Sequence, residues 1–118
     1  EFNGQYSNLL LSRTLRDVEL PERDKGFVTE LVYGTLRQRG RCDGAIARCA
    51  DRKLSEIDAK VLIVLRLGAY QLLLLNSPAH AAVNETVELA KLVAGQSSGS
   101  FVNAIMRKLS SSMPFAMP

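Results

Sequence analysis

Several residue types are rare in this chain of 118 residues. Tryptophan is absent and aromatic residues make up only 6% of the sequence, which argues against binding of single-stranded nucleic acid through rows of stacked bases. The two cysteines, Cys42 and Cys49, would lie roughly 10 Å apart on a shared helix, beyond disulfide reach. With the single histidine, His80, they do not make the four-ligand set of a structural zinc site. We therefore expect reduced thiols, no bound metal and a cytoplasmic location.

Long apolar runs and strand-like patterns are also missing. The longest apolar stretch, residues 58–75, is interrupted by Arg66 and Gln71 well short of the roughly 18 residues that a membrane span needs. Apolar and polar residues nowhere alternate as they do in a half-buried strand. The composition, 47% hydrophobic and 23% charged, is ordinary for a folded domain. The chain is predicted to be all-α, without a membrane partner.

The stretch from Asp58 to Leu75 predicts a central helix. It is apolar on nearly every side, which is typical of a helix that others surround. Ser55 and Asp58 have the spacing of a capping box and predict where the helix starts. Three residues are expected near its buried centre: Leu65, Ala69 and Leu72.

Arg66 lies within this apolar helix and therefore needs an acidic partner, because an unpaired buried charge costs several kcal/mol. Glu85, on the border of a later apolar stripe, is the first choice, with Glu30 and Asp43 as alternatives. Asn103 is interpreted as a packing or capping residue, and His80 as a residue near a helix start that bonds to local backbone.

Apolar residues at helical spacing predict further helices around the central one. They cover Tyr6–Arg16, 21–38, 43–51, a segment that starts at Pro78 with Ser77 as its N-cap, and 101–109. Residues 37–41 are expected to form a polar connection. Gly34 weakens its helix by roughly 1 kcal/mol relative to alanine, so we expect a neighbouring helix to approach closely there.

A basic stretch is the strongest functional signal. Within 17 residues it contains only two acidic residues, Asp43 and Asp51, and six cations: Arg37, Arg39, Arg41, Arg48, Arg52 and Lys53. Such a cluster can hold phosphates through a salt-dependent attraction that does not depend on base sequence. From charge alone, a solvated surface without a partner is an equally good interpretation.

Four segments resemble one known family in order and spacing: LVYGTLRQRGRCDGAIA at 31–47, LRLGAYQLLLL at 65–75, PAHAAVNETVELAK at 78–91 and FVNAIMRKL at 101–109. Together they resemble the NusB-like N-terminal domain of bacterial 16S ribosomal RNA cytosine-5 methyltransferases, the Sun or RsmB family. The resemblance implies a NusB-like helical bundle over residues 1–112, with the first helix of the family missing. It also implies that 113–118 begins a linker to a catalytic domain that is absent here.

Catalytic motifs are not found in this chain. Gly34, Gly40 and Gly44 lack the spacing and the preceding strand of a glycine-rich cofactor turn. The resembling methyltransferases attack the base with cysteines in Pro-Cys and Thr-Cys contexts, whereas Cys42 and Cys49 both follow arginine. We therefore expect no catalysis and no cofactor in this chain, and the resemblance implies S-adenosylmethionine only for the missing domain.

Three functions stay open at this point. The first is an RNA-binding domain that positions ribosomal RNA for its own C-terminal methyltransferase domain. The second is a NusB-type transcription antitermination factor, which adapts RNA to protein partners. The third is a scaffold that docks on its own catalytic domain without contacting RNA.

Overall fold

A computed structural model describes residues 22–75 and 77–111, and within them the chain forms five α-helices and no strand. The helices are α1 (Glu22–Arg37), α2 (Arg39–Cys49), α3 (Ala59–Leu73), α4 (Ala79–Ala94) and α5 (Gly99–Ser111). The all-α prediction is confirmed. The helix expected at Tyr6–Arg16 and the boundary expected after residue 112 lie outside the described residues.

Helix α3 forms the centre of the bundle and contacts all four other helices. Leu65, Ala69 and Leu72 are completely inaccessible to solvent, as the sequence predicts. The side chains around them come from every other helix, among them Leu31 of α1, Ile46 of α2, Leu89 of α4 and Met106 of α5. The core is therefore one continuous cluster built around α3.

The start of α3 differs from the prediction. The carboxylate of Asp58 accepts hydrogen bonds from the backbone N–H groups of Lys60 at 2.9 Å and Val61 at 3.4 Å, so Asp58 is the N-cap. Ser55 lies instead in a short 3₁₀ turn, Leu54–Glu56. The capping-box interpretation of Ser55 is wrong, because the aspartate next to the helix satisfies the free N–H groups by itself.

Two other helix boundaries also differ from the prediction. Residues 37–41 are not a connection: only Gln38 separates α1 from α2, and its backbone N–H donates to the Gly34 carbonyl at 3.0 Å as in a helix. Near α4, Pro78 takes the N-cap position and Ser77 is buried before it. Most of the basic stretch is consequently helical.

Two glycines allow helices to approach closely. A Cβ atom on Gly34 would lie 2.5 Å from Cζ of Tyr70 on α3, which confirms the close approach predicted for this position. A Cβ atom on Gly68 would lie 2.7 Å from the Thr86 side chain and 3.0 Å from Sδ of Met106. Gly68 therefore marks the point where α3, α4 and α5 meet.

No helix among the described residues combines the length and apolar character needed to cross a bilayer.

Candidate nucleic-acid interface

All six cations of the basic stretch are exposed to solvent. Arg37 ends α1, Arg39, Arg41 and Arg48 belong to α2, and the pair 52–53 follows in the loop after α2. The fold therefore gathers the six residues along one helix and its two ends. It leaves their charged groups where an anionic partner can reach them.

Helix α2 divides its arginines between two flanks. Arg41 and Arg48 are seven residues apart, about two helical turns, so they share a flank. The side of α2 that faces the core carries four buried residues: Cys42, Ala45, Ile46 and Cys49. Arg39 lies on the other flank, with Nε 3.7 Å from Oδ2 of Asp43. Arg41 and Arg48 thus present their charges on the same side of α2.

Asp43 also holds Arg66 of α3. Arg66 Nε donates to Asp43 Oδ1 at 2.7 Å and its Nη2 donates to Oδ2 at 3.1 Å, a two-point contact that is largely buried. The prediction that Glu85 pairs with Arg66 is therefore wrong, and Asp43, one of the two alternatives, is the partner. Glu85 lies half-buried on α4.

Helix α5 adds a cation that the sequence interpretation missed. Lys108 Nζ donates to the backbone carbonyl of Cys49 at 3.4 Å, across 59 residues of sequence. Cys49 is the last residue of α2, where the helix dipole favours a positive charge. The sequence signal that could have indicated Lys108 is the polar face of α5, where Arg107 and Lys108 lie between apolar residues.

A second contact joins the basic stretch to α5. The Arg52 guanidinium lies over the Phe101 ring, 4.6 Å from its centroid, and Arg52 Nε is 3.2 Å from Oδ1 of Asp51. This arrangement fixes the loop after α2 against the start of α5. Arg39 and Arg52 thus lie beside carboxylates. In the part of the chain that the structure describes, no ion pair involves Arg37, Arg41, Arg48 or Lys53.

The cysteines are packing residues. Cys42 lies on the side of α2 that faces the core and is completely buried. Burial raises the pKa of its thiol from 9.0 to about 11. The negative charge of Asp43 adds to this increase, whereas Arg66 and Arg41 oppose it. The thiol stays protonated near neutral pH and is a poor nucleophile. Within residues 22–75 and 77–111 no group of His, Cys, Asp and Glu side chains could hold a metal ion.

Asn103 lies in the middle of α5, so it caps neither end of that helix. It is half-buried and lines a cleft between α4 and α5, together with His80, Asn84 and Arg107. The structure brings together two pairs of polar residues, one pair on each helix, that are distant from each other in sequence.

Comparisons with known proteins find relatives with two kinds of name. A protein of Mycobacterium tuberculosis named "Putative methyltransferase" is 43% identical over 104 residues, which cover 88% of this chain and 23% of that protein. A Bacillus subtilis protein named "Probable ribosomal RNA small subunit methyltransferase B" is 37% identical over 110 residues, 92% of this chain and 24% of that protein. The chain therefore spans about a quarter of the length of these two relatives.

A third relative is nearer to this chain in length. The "Transcription antitermination protein NusB" of Acetivibrio thermocellus is 36% identical over 101 residues, which cover 84% of this chain and 70% of that protein. No solved structure matches the chain. The NusB family model matches residues 1–111, and this chain therefore belongs to the NusB family.

Proposed function

We propose that this chain is an RNA-binding accessory domain that positions ribosomal RNA for an S-adenosylmethionine-dependent cytosine-5 methyltransferase domain. The observation that carries the proposal is the exposed basic surface along α2. It comprises Arg37, Arg39, Arg41, Arg48, Arg52 and Lys53, and Lys108 of α5 adjoins it at the end of α2. Cations in such an arrangement neutralise backbone phosphates and release the counterions condensed on them.

Recognition on this surface depends on charge and shape. No tyrosine or tryptophan lies between the arginines of α2 in the sequence, and Phe101 is already covered on one face by Arg52. Structured RNA fits these properties better than an unstructured strand, because proteins bind RNA helices mostly through phosphates, 2′-hydroxyl groups and shape.

The proposed catalytic partner lies in another part of a longer protein. The relatives named as methyltransferases are about four times as long as the matched region, and this chain has no Pro-Cys or Thr-Cys dipeptide. Sequencing the gene downstream of this segment tests the assignment. A cofactor-binding sheet with Pro-Cys and Thr-Cys supports the methyltransferase, whereas a stop codon shortly after Pro118 contradicts it.

A NusB-type antitermination factor is the second candidate. It is favoured by one observation: the Acetivibrio relative of that name is matched over 70% of its length. The same downstream sequence separates the two candidates. In both candidate functions the basic surface binds RNA. In the third function, a scaffold that docks without RNA, the basic surface has no role.

Arginine protection tests the RNA contact directly. Phenylglyoxal modifies accessible guanidinium groups. Mass spectrometry measures the extent of modification at each arginine, and the measurement is made with and without a transcript of 16S ribosomal RNA. RNA is expected to protect Arg41 and Arg48. Arg66 provides an internal control, because its contact with Asp43 shields it in both states. Equal modification of Arg41 and Arg48 with and without RNA contradicts the proposed contact.

A further inference from the structure

A cleft of about 650 Å³ lies between the first turns of α4 and the last turns of α5. Ala79 and Val83 give it a small apolar surface. Its polar lining comes from His80 and Asn84 of α4 and from four residues of α5: Asn103, Arg107, Ser110 and Ser111. The volume falls within the roughly 300–1,000 Å³ of small-molecule sites.

The polar groups of this cleft are available to a ligand. Across residues 22–75 and 77–111, no hydrogen bond or ion pair to another described residue engages the side chains of His80, Asn84, Asn103 or Arg107. None of the described residues that line the cleft is acidic. The ligand that fits therefore has a hydrogen-bonding edge for two amides and a negative charge for Arg107.

The cleft is linked to the basic surface through α5. Arg107 lines the cleft, and the next residue, Lys108, reaches the carbonyl of Cys49 at the end of α2. Successive residues of an α-helix point about 100° apart, so Lys108 and Arg107 lie on adjoining sides of α5. An RNA strand whose phosphates lie along α2 would therefore reach the cleft by crossing α5 beside Lys108. A single nucleotide is then the part of the ligand that enters it.

We propose that the α4–α5 cleft binds one unpaired purine nucleotide of the RNA. The proposal rests on the RNA-binding function above and adds base selectivity to a surface that otherwise recognises phosphates. An asparagine amide can donate to and accept from one purine edge, N6–H and N7 of adenine, in a two-point contact. Asn84 and Asn103 supply such amides from opposite walls, and Arg107 neutralises the phosphate of the same nucleotide.

The test compares two single-stranded RNA 9-mers, one of adenine and one of uracil, binding to the wild-type chain and to the Asn84→Ala/Asn103→Ala variant. A good two-point contact discriminates by about 1–3 kcal/mol, which corresponds to roughly 5- to 150-fold in affinity. The wild-type chain is expected to prefer the adenine 9-mer by about tenfold. In the variant this preference disappears, while the salt dependence of binding stays unchanged.

Two controls keep the result interpretable. The Gln96→Ala/Ser97→Ala variant removes exposed polar groups outside the cleft and is expected to keep the preference. Thermal melting establishes that both variants fold. Arg107→Lys keeps the charge that neutralises the phosphate, and it is expected to keep the adenine preference because phosphate contacts do not select a base.

The outcomes distinguish this proposal from the proposed function. Salt-dependent binding without a purine preference, or a preference that survives in the asparagine variant, overturns the nucleotide site and leaves RNA binding standing. A pyrimidine preference overturns it as well. If the 16S transcript binds at low salt but neither 9-mer does, the nucleotide site is overturned and RNA binding stands. If the transcript does not bind either, RNA binding itself fails, and the nucleotide site fails with it.

Discussion

The guanidinium of Arg66 meets the carboxylate of Asp43 at two points, Nε to Oδ1 at 2.7 Å and Nη2 to Oδ2 at 3.1 Å. This contact joins the central helix α3 to α2. Because it fixes the rotation of α2, it helps to keep Cys42 and Ile46 in the core and Arg41 and Arg48 in solvent. The pair thus connects the packing of the bundle to the presentation of the basic surface.

Removing the charge of Asp43 is expected to destabilise the fold. Asp43→Asn leaves Arg66 largely buried without a full counter-charge, and hydrogen bonds to charged groups contribute about 1.5–3 kcal/mol each. We expect a loss of about 2 kcal/mol in the free energy of unfolding, measured by urea denaturation. Asp51→Asn is the matched control: its ion pair with Arg52 is exposed, so its loss should be below about 1 kcal/mol. Equal losses in the two variants contradict the structural role of Asp43.

The identity of this partner illustrates the limit of sequence reasoning here. The apolar surroundings of Arg66 predict that it needs an acid, and that requirement is met. Helical spacing places Glu85 beside an apolar stripe, but it does not give the rotation of α4 relative to α3. The choice between Asp43 and Glu85 depends on how the helices pack, which no local pattern encodes.

The fold was more predictable than the site. The apolar character of residues 58–75 predicts a central helix, and Gly34 predicts a close helix contact, because both signals are local. The six cations of the basic stretch are also local in sequence. Lys108 and the cleft with Asn84 and Asn103 were missed, because those residues come together only when α5 packs against α2 and α4.

Truncation of Leu65 tests the central position of α3. Leu65 is completely inaccessible, and Leu65→Ala should lower the free energy of unfolding by about 2–5 kcal/mol, the range for a large-to-small change in a core. Ile63 lies on the same helix but is 53% exposed, so Ile63→Ala should cost less than about 1 kcal/mol. A cost for Leu65→Ala as low as for Ile63→Ala would place α3 at the periphery.

Two glycine substitutions are expected to have opposite signs. In Gly68→Ala the new methyl group would lie 2.7 Å from the Thr86 side chain, so overpacking at the α3–α4–α5 junction should cost about 1–3 kcal/mol. In Gly44→Ala on α2 the methyl group meets nothing within 4 Å. Because alanine forms helices better than glycine, the free energy of unfolding of Gly44→Ala should rise by about 0.4–1 kcal/mol. A melting temperature of Gly68→Ala at or above that of wild type would contradict the close approach at Gly68.

The raised pKa of Cys42 predicts a loss of stability at high pH. In the unfolded chain the thiol ionises near its ordinary value of 9.0, whereas in the folded protein it holds its proton until about pH 11. The stabilising effect is therefore complete below pH 9 and is lost as the pH rises from 9 to 11. Over that interval the free energy of unfolding should fall more steeply for wild type than for Cys42→Ala. Parallel curves would show that the thiol is not protected by burial.

The salt dependence of RNA binding tests whether the exposed arginines of α2 contact RNA phosphates. Each phosphate contact changes the slope of log affinity against log salt concentration by roughly 0.7–0.9. Arg41→Gln/Arg48→Gln removes two exposed cations from one flank of α2, and Lys60→Gln/Lys91→Gln removes the same charge from α3 and α4. Arg39→Gln serves as a second comparison, with a smaller expected effect because Arg39 lies beside Asp43.

Binding of a 16S ribosomal RNA transcript is measured for the four proteins at several salt concentrations, after thermal melting has shown that each is folded. The Arg41→Gln/Arg48→Gln slope is expected to be flatter than that of wild type by about one to two units, while the lysine control stays near the wild-type slope. An Arg41→Gln/Arg48→Gln slope equal to that of wild type would contradict RNA binding on the surface of α2.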